Sequence, residues 1–259
     1  MNKYNLTDLS PDVAFEKHIF HRDQFAHYLR WTHILKEAKL NETIVDFGCG
    51  QANLLEVLYR NKFKQKSYIG IDIRQATIDR AAEKFKDVAW AKFYVADLIK
   101  PQISLDFNAD KVCAFEVLEH VGHQNGETFL KNFKACGSKD ATYYLSTPNY
   151  DPTVGAAANH TYDSGDGMGV HPQEWDHYEL QDLLTKHFDI VKKFGTFASV
   201  KDYKPFMNDW QREMYNGLKE YYDSNLVSNI MAPFFPDCSR NTLWVLKRKQ
   251  EEDDVESLF

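Results

Sequence analysis

The chain has 259 residues, of which 43% are hydrophobic and 27% are charged; this balance excludes a disordered chain and favours a globular protein. Lys and Arg number 31 against 38 Asp and Glu, so the net charge is −7 and a broad basic surface for duplex nucleic acid is not expected. The sequence shows neither a signal peptide nor an apolar run near the ~20 residues of a membrane span, so we expect a soluble, cytoplasmic protein with no membrane partner.

Apolar strands alternate with helices along most of the chain. Residues 12–38 carry apolar and aromatic side chains at helical spacing, so 1–40 is predicted to be an N-terminal helical cap. Strands are predicted at Thr43–Phe47, Ser67–Ile71, Ala91–Ala96, Lys111–Phe115, Thr142–Ser146, Phe188–Phe194 and Thr242–Leu246. Helices are predicted at Ala52–Arg60, Gln75–Phe85, Glu127–Cys136 and Glu179–His187. This alternation is typical of a parallel sheet with helices on both faces.

Three segments interrupt or follow this pattern, which otherwise defines a core over 41–200 with a last core strand in 241–249. Residues 150–175 are rich in Gly, Ala, Asn and Asp without periodicity, which favours a lid or substrate loop. Residues 201–240 contain a helical, aromatic stretch and are predicted to be an insertion before the last strand. The acidic tail 250–259 is predicted to be disordered. The oligomeric state is not indicated by any of these features.

The first predicted strand runs into a glycine turn and then a helix, in Asp46-Phe47-Gly48-Cys49-Gly50. Glycines allow a ligand to approach the backbone, and a helix N-terminus offers it unpaired N–H groups. The turn does not match the dinucleotide pattern GxGxxG, because residue 53 is Asn, and no Gly-Lys-Ser/Thr of a P-loop follows. A second acid, Asp72, ends the next strand, where a carboxylate can accept both hydroxyls of a ribose.

Acids also follow the third and fourth strands. Asp97 is followed by Leu98, a pair that suits an adenine ring with its exocyclic amine, and the fourth strand ends in Phe115-Glu116. The carboxyl ends of parallel strands are where open α/β folds bind ligands. All these residues are therefore expected at one edge of the sheet.

The motifs VDFGCG, GID, VADL, AFEVLEH and STPN, in this order over about 43–195, resemble those of class I S-adenosylmethionine-dependent methyltransferases. The resemblance implies a Rossmann-like α/β fold with a seven-stranded, mostly parallel sheet and a reversed last hairpin. It also implies S-adenosylmethionine as cofactor, with the glycines at its methionine end, Asp72 at its ribose, and Asp46 stabilising the turn. The implied cofactor-site residues are Asp46, Gly48, Cys49, Gly50, Asp72, Ile73, Asp97, Leu98 and Glu116.

A candidate divalent metal site lies in Glu116, Glu119 and His120, which form the pattern ExxEH. Positions i, i+3 and i+4 share one helical face, and carboxylates with imidazole suit Mg²⁺, Mn²⁺, Fe²⁺ or Zn²⁺. His171, before Glu174-Trp175, is the fourth candidate ligand. This tetrad resembles that of small-RNA 3′-end 2′-O-methyltransferases, and ubiquinone-type O-methyltransferases share ExxEH. Because EVLEH and STPN also occur in small-molecule methyltransferases without a metal, a metal site, a metal-free substrate site and a structural role all remain open.

Methyl transfer to an oxygen of high pKa needs a base or a metal. The base candidates are His120 and His171, with Glu119 beside them, since imidazole titrates near neutral pH. Asn149 and Tyr150 follow the fifth strand and are predicted substrate contacts.

We therefore expect an O- or N-methyltransferase acting on a small molecule, a sugar or a nucleotide. The alternative is a metal-dependent RNA 2′-O-methyltransferase, against which the acidic balance counts because phosphate contacts need basic residues. A non-enzymatic module that uses the cofactor structurally is a third hypothesis.

Overall fold

The computed structural model describes residues 22–100, 106–149 and 174–249. Its seven strands are β1 Thr43–Phe47, β2 Ser67–Asp72, β3 Ala91–Val95, β4 Ala109–Phe115, β5 Gly137–Pro148, β6 Phe188–Phe197 and β7 Asn241–Arg248. They form one sheet in the order β3-β2-β1-β4-β5-β7-β6, which confirms the predicted seven-stranded, mostly parallel, Rossmann-like α/β fold. The first five strands pair in parallel, so their carboxyl ends lie at one edge of the sheet.

Nine α-helices accompany this sheet in the described ranges. They are α1 Arg22–Glu37, α2 Asn53–Arg60, α3 Gln75–Lys84, α4 Leu118–Val121, α5 His123–Ala135, α6 His177–Thr185, α7 Val200–Tyr203, α8 Asp209–Tyr221 and α9 Ser224–Met231. The helix predicted to begin at Glu127 begins at His123 instead, and the short α4 precedes it. Helix α6 begins before the predicted Glu179 because Asp176 caps it, accepting hydrogen bonds from the backbone N–H groups of Tyr178 and Glu179.

The chain divides into two compact units. Among the described residues, the core unit comprises 39–100, 106–149, 174–192 and 244–249, and the helical unit comprises 22–38 and 193–243. In the core unit, α5 places Phe129 and Phe133 one turn apart against Phe47 of β1, with ring centroids 5.1 and 5.7 Å away. Burial of these three rings fixes α5 over the centre of the sheet.

The helical unit has a hydrophobic cluster of its own. Its buried members are Ala198, Tyr203, Met207, Val227, Met231, Ala232 and Phe235. The rings of Tyr203 and Phe235 stack with centroids 4.9 Å apart, and α9 packs against α1. The segment 201–240 contains α8 and α9, and Tyr203 and Phe235 of this segment belong to the buried cluster. None of the helices described here combines the length and the apolar character needed to cross a bilayer.

Candidate cofactor and acceptor site

The glycine turn is fastened to the carboxyl end of β2. The backbone N–H groups of Gly48 and Cys49 both donate to the carbonyl oxygen of Ile71 at 2.8 Å. The N–H of Gly50 donates to Oδ2 of Asp72 at 3.1 Å. The turn and the predicted ribose-binding acid therefore form one hydrogen-bonded unit.

The two glycine positions of the turn differ in how much space a side chain would have. Both have positive φ, 86° for Gly48 and 52° for Gly50. A Cβ on Gly48 would lie 2.4 Å from Cγ2 of Val117, whereas a Cβ on Gly50 would meet nothing within 4 Å. Gly48 is therefore required by packing, and Gly50 leaves the turn open to an approaching ligand.

We expect Gly48→Ala to destabilise the protein by about 2–4 kcal/mol, since overpacking against Val117 adds to the backbone strain. Gly50→Ala adds only backbone strain and should destabilise the protein by about 1–2 kcal/mol. Urea unfolding measures both, and Val117→Ala combined with Gly48→Ala should recover part of the larger loss. Equal losses in the two single variants would show that the Val117 contact does not matter.

Asp72 is buried and held by backbone donors on both sides. Its Oδ1 accepts from the N–H of Arg74 at 2.9 Å, while Oδ2 accepts from Gly50, and the Nε of Arg74 lies 3.7 Å from Oδ1. A carboxylate has about four lone-pair sites, so this side chain keeps acceptor capacity for two ribose hydroxyls. Its contacts also fix its orientation before any ligand binds.

The two residues expected beside an adenine differ in exposure. Leu98 is buried in the hydrophobic core, and Oδ1 of Asp97 accepts from the N–H of Ile99 at 3.3 Å. Ile73, which directly follows Asp72, is 59% exposed. Ile73 therefore exposes an apolar surface at this end of β2, whereas Leu98 is enclosed in the hydrophobic core.

Asp46 lies at the end of β1 with a buried carboxyl group. Its Oδ2 accepts a hydrogen bond of 2.6 Å from the hydroxyl of Tyr68, a residue that sequence reasoning did not single out. Burial raises the pKa of Asp46 to about 7; the Tyr68 hydrogen bond opposes this and the charge of Asp72 adds to it. Asp46 is therefore held by Tyr68 of β2, the strand to which the glycine turn is also hydrogen-bonded.

The raised pKa of Asp46 has a consequence for stability. Between about pH 4 and pH 7 the folded state binds more protons than the unfolded chain, so the free energy of unfolding falls as the pH rises through this window. The penalty above pH 7 is of the order of a few kcal/mol. Urea unfolding from pH 4 to pH 8 should show this slope in the wild type and a flatter profile in Asp46→Asn; parallel profiles would contradict it.

Two consecutive residues of β5 hold the carboxylates of the ExxEH pattern. The Oγ of Ser146 donates to Oε1 of Glu116 at 2.8 Å, and the Oγ1 of Thr147 donates to Oε2 of Glu119 at 3.0 Å. The structure thus brings Glu116 and Glu119 to the same strand end. The sequence analysis included both residues in the STPN motif but gave their hydroxyl groups no role.

The ExxEH pattern does not lie on one helical face. Glu116 precedes α4 and has a φ of 57°, so only Glu119 and His120 belong to the helix. Glu119 is 1% exposed, the His120 side chain is 31% exposed, and His120 Nε2 lies 3.9 Å from Glu119 Oε1. The expectation of three side chains on a shared helical face is therefore wrong, because the chain takes a left-handed step at Glu116.

The described residues do not form a complete metal site. Within 22–100, 106–149 and 174–249, no three His, Cys, Asp or Glu side chains converge to hold a metal ion. The fourth predicted ligand, His171, and the predicted substrate contact Tyr150 lie outside the described residues. We therefore assign no chemical step to a metal.

Asn149 lies just past β5, two residues after Thr147, whose hydroxyl donates to Glu119. It forms an isolated parallel bridge with Trp175, whose ring stacks on that of His123 with centroids 3.8 Å apart. A Cβ on Gly126 would lie 2.9 Å from Trp175, so this glycine makes room for the indole. Asn149 is thereby fixed at the edge where the other predicted site residues meet.

Comparison with known proteins gives one family and a large set of similar folds. The family model of a methyltransferase domain matches residues 20–188. No curated protein matches the chain at a significant level. Solved structures include a TehB-like SAM-dependent methyltransferase from Corynebacterium glutamicum, 17% identical, with a TM-score of 0.55 and coverage of 85% of this chain and 87% of that one.

Two further structures extend this likeness. The methyltransferase domain of bacterial-CtHen1-CN is 17% identical, with a TM-score of 0.55, and the match covers 86% of this chain and 99% of that one. The small RNA methyltransferase HEN1 is 19% identical, with a TM-score of 0.56, and the match covers 89% of this chain but 26% of that one. At these identities the likenesses concern the fold.

Proposed function

The chain belongs to the S-adenosylmethionine-dependent methyltransferase family, and we propose that it methylates an oxygen or nitrogen atom of a small molecule, a sugar or a nucleotide. The observation that carries the proposal is the buried carboxylate of Glu119, 3.9 Å from the part-exposed imidazole of His120. This pair lies at the sheet edge where the glycine turn and Asp72 also lie.

The cofactor supplies a methyl group on a positively charged sulfur. We assign its methionine end to the open turn at Gly48 and Gly50, and its ribose hydroxyls to Asp72. The exposed Ile73 and the carboxylate of Asp97 are the proposed neighbours of the adenine. The hydrogen bonds that fix the turn to β2 support this assignment, because a site fixed before binding needs little reorganisation.

His120 is the proposed general base. The hydroxyl of Thr147 holds one oxygen of Glu119, and the other oxygen faces His120. When His120 takes the proton of the acceptor, the buried carboxylate stabilises the imidazolium, and its effect is strong because Glu119 is screened from water. The exposed fraction of His120 leaves it accessible to an acceptor.

A second candidate is a metal-dependent RNA 2′-O-methyltransferase. It is favoured by one observation, the fixed pair of carboxylates at Glu116 and Glu119 beside His120, with His171 as the fourth ligand the sequence suggests. In this candidate they would bind a divalent ion that polarises ribose hydroxyls, but its described members do not converge around one ion in this structure. The net charge of −7 counts against a nucleic-acid acceptor.

The test is transfer of labelled methyl groups to two acceptor pools, one of small molecules and nucleotides and one of RNA, with and without a chelator. Our proposal predicts labelling of the first pool that survives chelation. Labelling of RNA that chelation abolishes would replace it with the metal-dependent alternative. Cofactor binding without transfer to either pool would contradict both and favour the non-enzymatic module.

A further inference from the structure

The carboxyl group of Asp46 is enclosed directly behind the proposed cofactor turn. In the β1–β2 register Ile44 pairs with Tyr68 and Asp46 pairs with Gly70, so the side chains of Asp46 and Tyr68 lie on one face of the sheet. A Cβ on Gly70 would lie 2.8 Å from the ring of Phe93 and 2.9 Å from Sγ of Cys49, so the ring and the thiol of the turn together fill the space above Gly70. Asp46 is thus covered by the turn that we assign to the cofactor.

The groups that face Asp46 come from three elements. They are Tyr68 and Asp72 from β2, Cys49 from the turn and Cys113 from β4. Burial raises the pKa of Tyr68, Cys49 and Cys113, so these groups stay neutral near pH 7.

The charged groups around Asp46 do not offset its negative charge. Lys111 of β4 lies near Cys113, but its Nζ donates to Glu42 at 2.6 Å. Asp72 adds a negative charge of its own. A carboxyl group with one neutral donor and a nearby acid is sensitive to any positive charge that arrives at the turn.

We propose that Asp46 responds to the charge of the bound cofactor, releasing a proton when S-adenosylmethionine binds and regaining one after the methyl group has left. This inference rests on the proposed cofactor site. S-adenosylmethionine carries a sulfonium, an ammonium and a carboxylate, a net charge of about +1, whereas S-adenosylhomocysteine has no sulfonium and is neutral overall. A positive charge beside a buried carboxyl group favours its ionised form.

The charges balance through the reaction. The methyl group passes to a lone pair of the acceptor atom, and the electrons of the broken C–S bond stay on sulfur, which becomes a neutral thioether. The proton of the acceptor goes to His120 and then to solvent. With the positive charge gone, Asp46 takes a proton from solvent. The neutral carboxyl group then no longer attracts the bound product, S-adenosylhomocysteine, electrostatically.

The consequence is a pH-dependent discrimination between donor and product. By linkage, affinity for S-adenosylmethionine should rise several-fold between pH 6 and pH 8, approaching tenfold for each unit by which binding lowers the pKa of Asp46. Affinity for S-adenosylhomocysteine should change little over the same range. Above neutral pH the protein would therefore select the donor over the product.

The experiment is calorimetric titration of both ligands at several pH values, in phosphate and in Tris buffer, because the difference in heat between buffers reports protons released. The wild type should release a substantial fraction of one proton per S-adenosylmethionine near pH 7, and much less with S-adenosylhomocysteine. Asp46→Asn should abolish the difference between the ligands.

A second variant keeps the test valid if Asp46→Asn does not fold. Tyr68→Phe removes the donor that stabilises the ionised carboxylate, so the midpoint of the pH dependence should move to higher pH. Tyr143→Phe is the matched control, since its hydroxyl donates to a backbone carbonyl, that of Lys134, at 2.8 Å. That variant should leave the midpoint unchanged.

The outcomes separate this inference from the assignment of the cofactor site. Binding that Asp72→Ala weakens, with equal proton release for both ligands or an unshifted midpoint in Tyr68→Phe, would overturn the inference alone. Binding that Asp72→Ala leaves intact would overturn the proposed site itself.

Discussion

Replacing Asp72 with alanine is expected to weaken binding of S-adenosylmethionine at least ~100-fold. Hydrogen bonds to a charged acceptor contribute about 1.5–3 kcal/mol each, and the loss of two ribose contacts therefore exceeds the ~2.7 kcal/mol of a hundredfold change. The variant also removes the acceptor for the N–H of Gly50, so the turn loses one of the hydrogen bonds that hold it to β2. Calorimetric titration measures the change in Kd.

Two further variants make the Asp72 result specific. Asp72→Asn keeps an oxygen for one backbone N–H but lacks the charge, so its affinity should fall between those of the wild type and Asp72→Ala. Asp87→Ala removes an exposed acid of the same unit and should bind as the wild type does. Affinity in Asp72→Ala equal to that in Asp87→Ala would exclude Asp72 from the cofactor site.

His120→Ala should lower kcat by about 10²–10⁴-fold, the usual contribution of a general base, while the Kd of the cofactor changes less than about twofold. In the wild type kcat should fall at low pH, and this fall should be absent in His120→Ala. Glu119→Gln should show a smaller loss, since the base remains but its imidazolium is no longer stabilised. Steady-state kinetics on an accepted substrate checks both variants.

The core unit contains a matched control for these variants. His187 and Glu127 form another imidazole–carboxylate pair, with His187 Nε2 2.9 Å from Glu127 Oε1. His187→Ala should retain kcat, because this pair lies outside the proposed site. Equal losses in His120→Ala and His187→Ala would indicate a general effect on folding and would remove His120 from its proposed role.

Much of the sheet could be predicted because each strand is marked by residues that are adjacent in the sequence. Thr43–Phe47 is a short apolar run bounded by polar residues, and β1 has those limits. The same patterns locate the acids that follow the strands, since a parallel sheet brings successive carboxyl ends to one edge. The edge that carries Asp72, Asp97 and Glu116 was therefore predictable from spacing alone.

The start of α5 was predicted too late because its first turn carries no sequence signal. Its N-cap, Gly122, has no side chain to cap the helix, and the polar residues that follow do not show apolar periodicity. The left-handed backbone conformation of Glu116 could not be predicted either, because positive φ is uncommon outside glycine. That conformation is why the helical spacing of ExxEH gave the wrong geometry.

The contacts that orient the site residues are long-range and were not predictable. Ser146 and Glu116 are 30 residues apart, and Tyr68 and Asp46 are 22 apart. Such pairs depend on strand register, which apolar patterning does not specify to single side chains. The packing of α9 on α1 in the helical unit joins distant segments in the same way.

The most direct test of the central claim is titration of S-adenosylmethionine into the chelator-treated wild-type protein, with Asp72→Ala in parallel. We expect one binding site per chain in the wild type, unaffected by chelation, and an affinity at least ~100-fold weaker in the variant. Absence of binding in the wild type, or equal binding by both proteins, would contradict it.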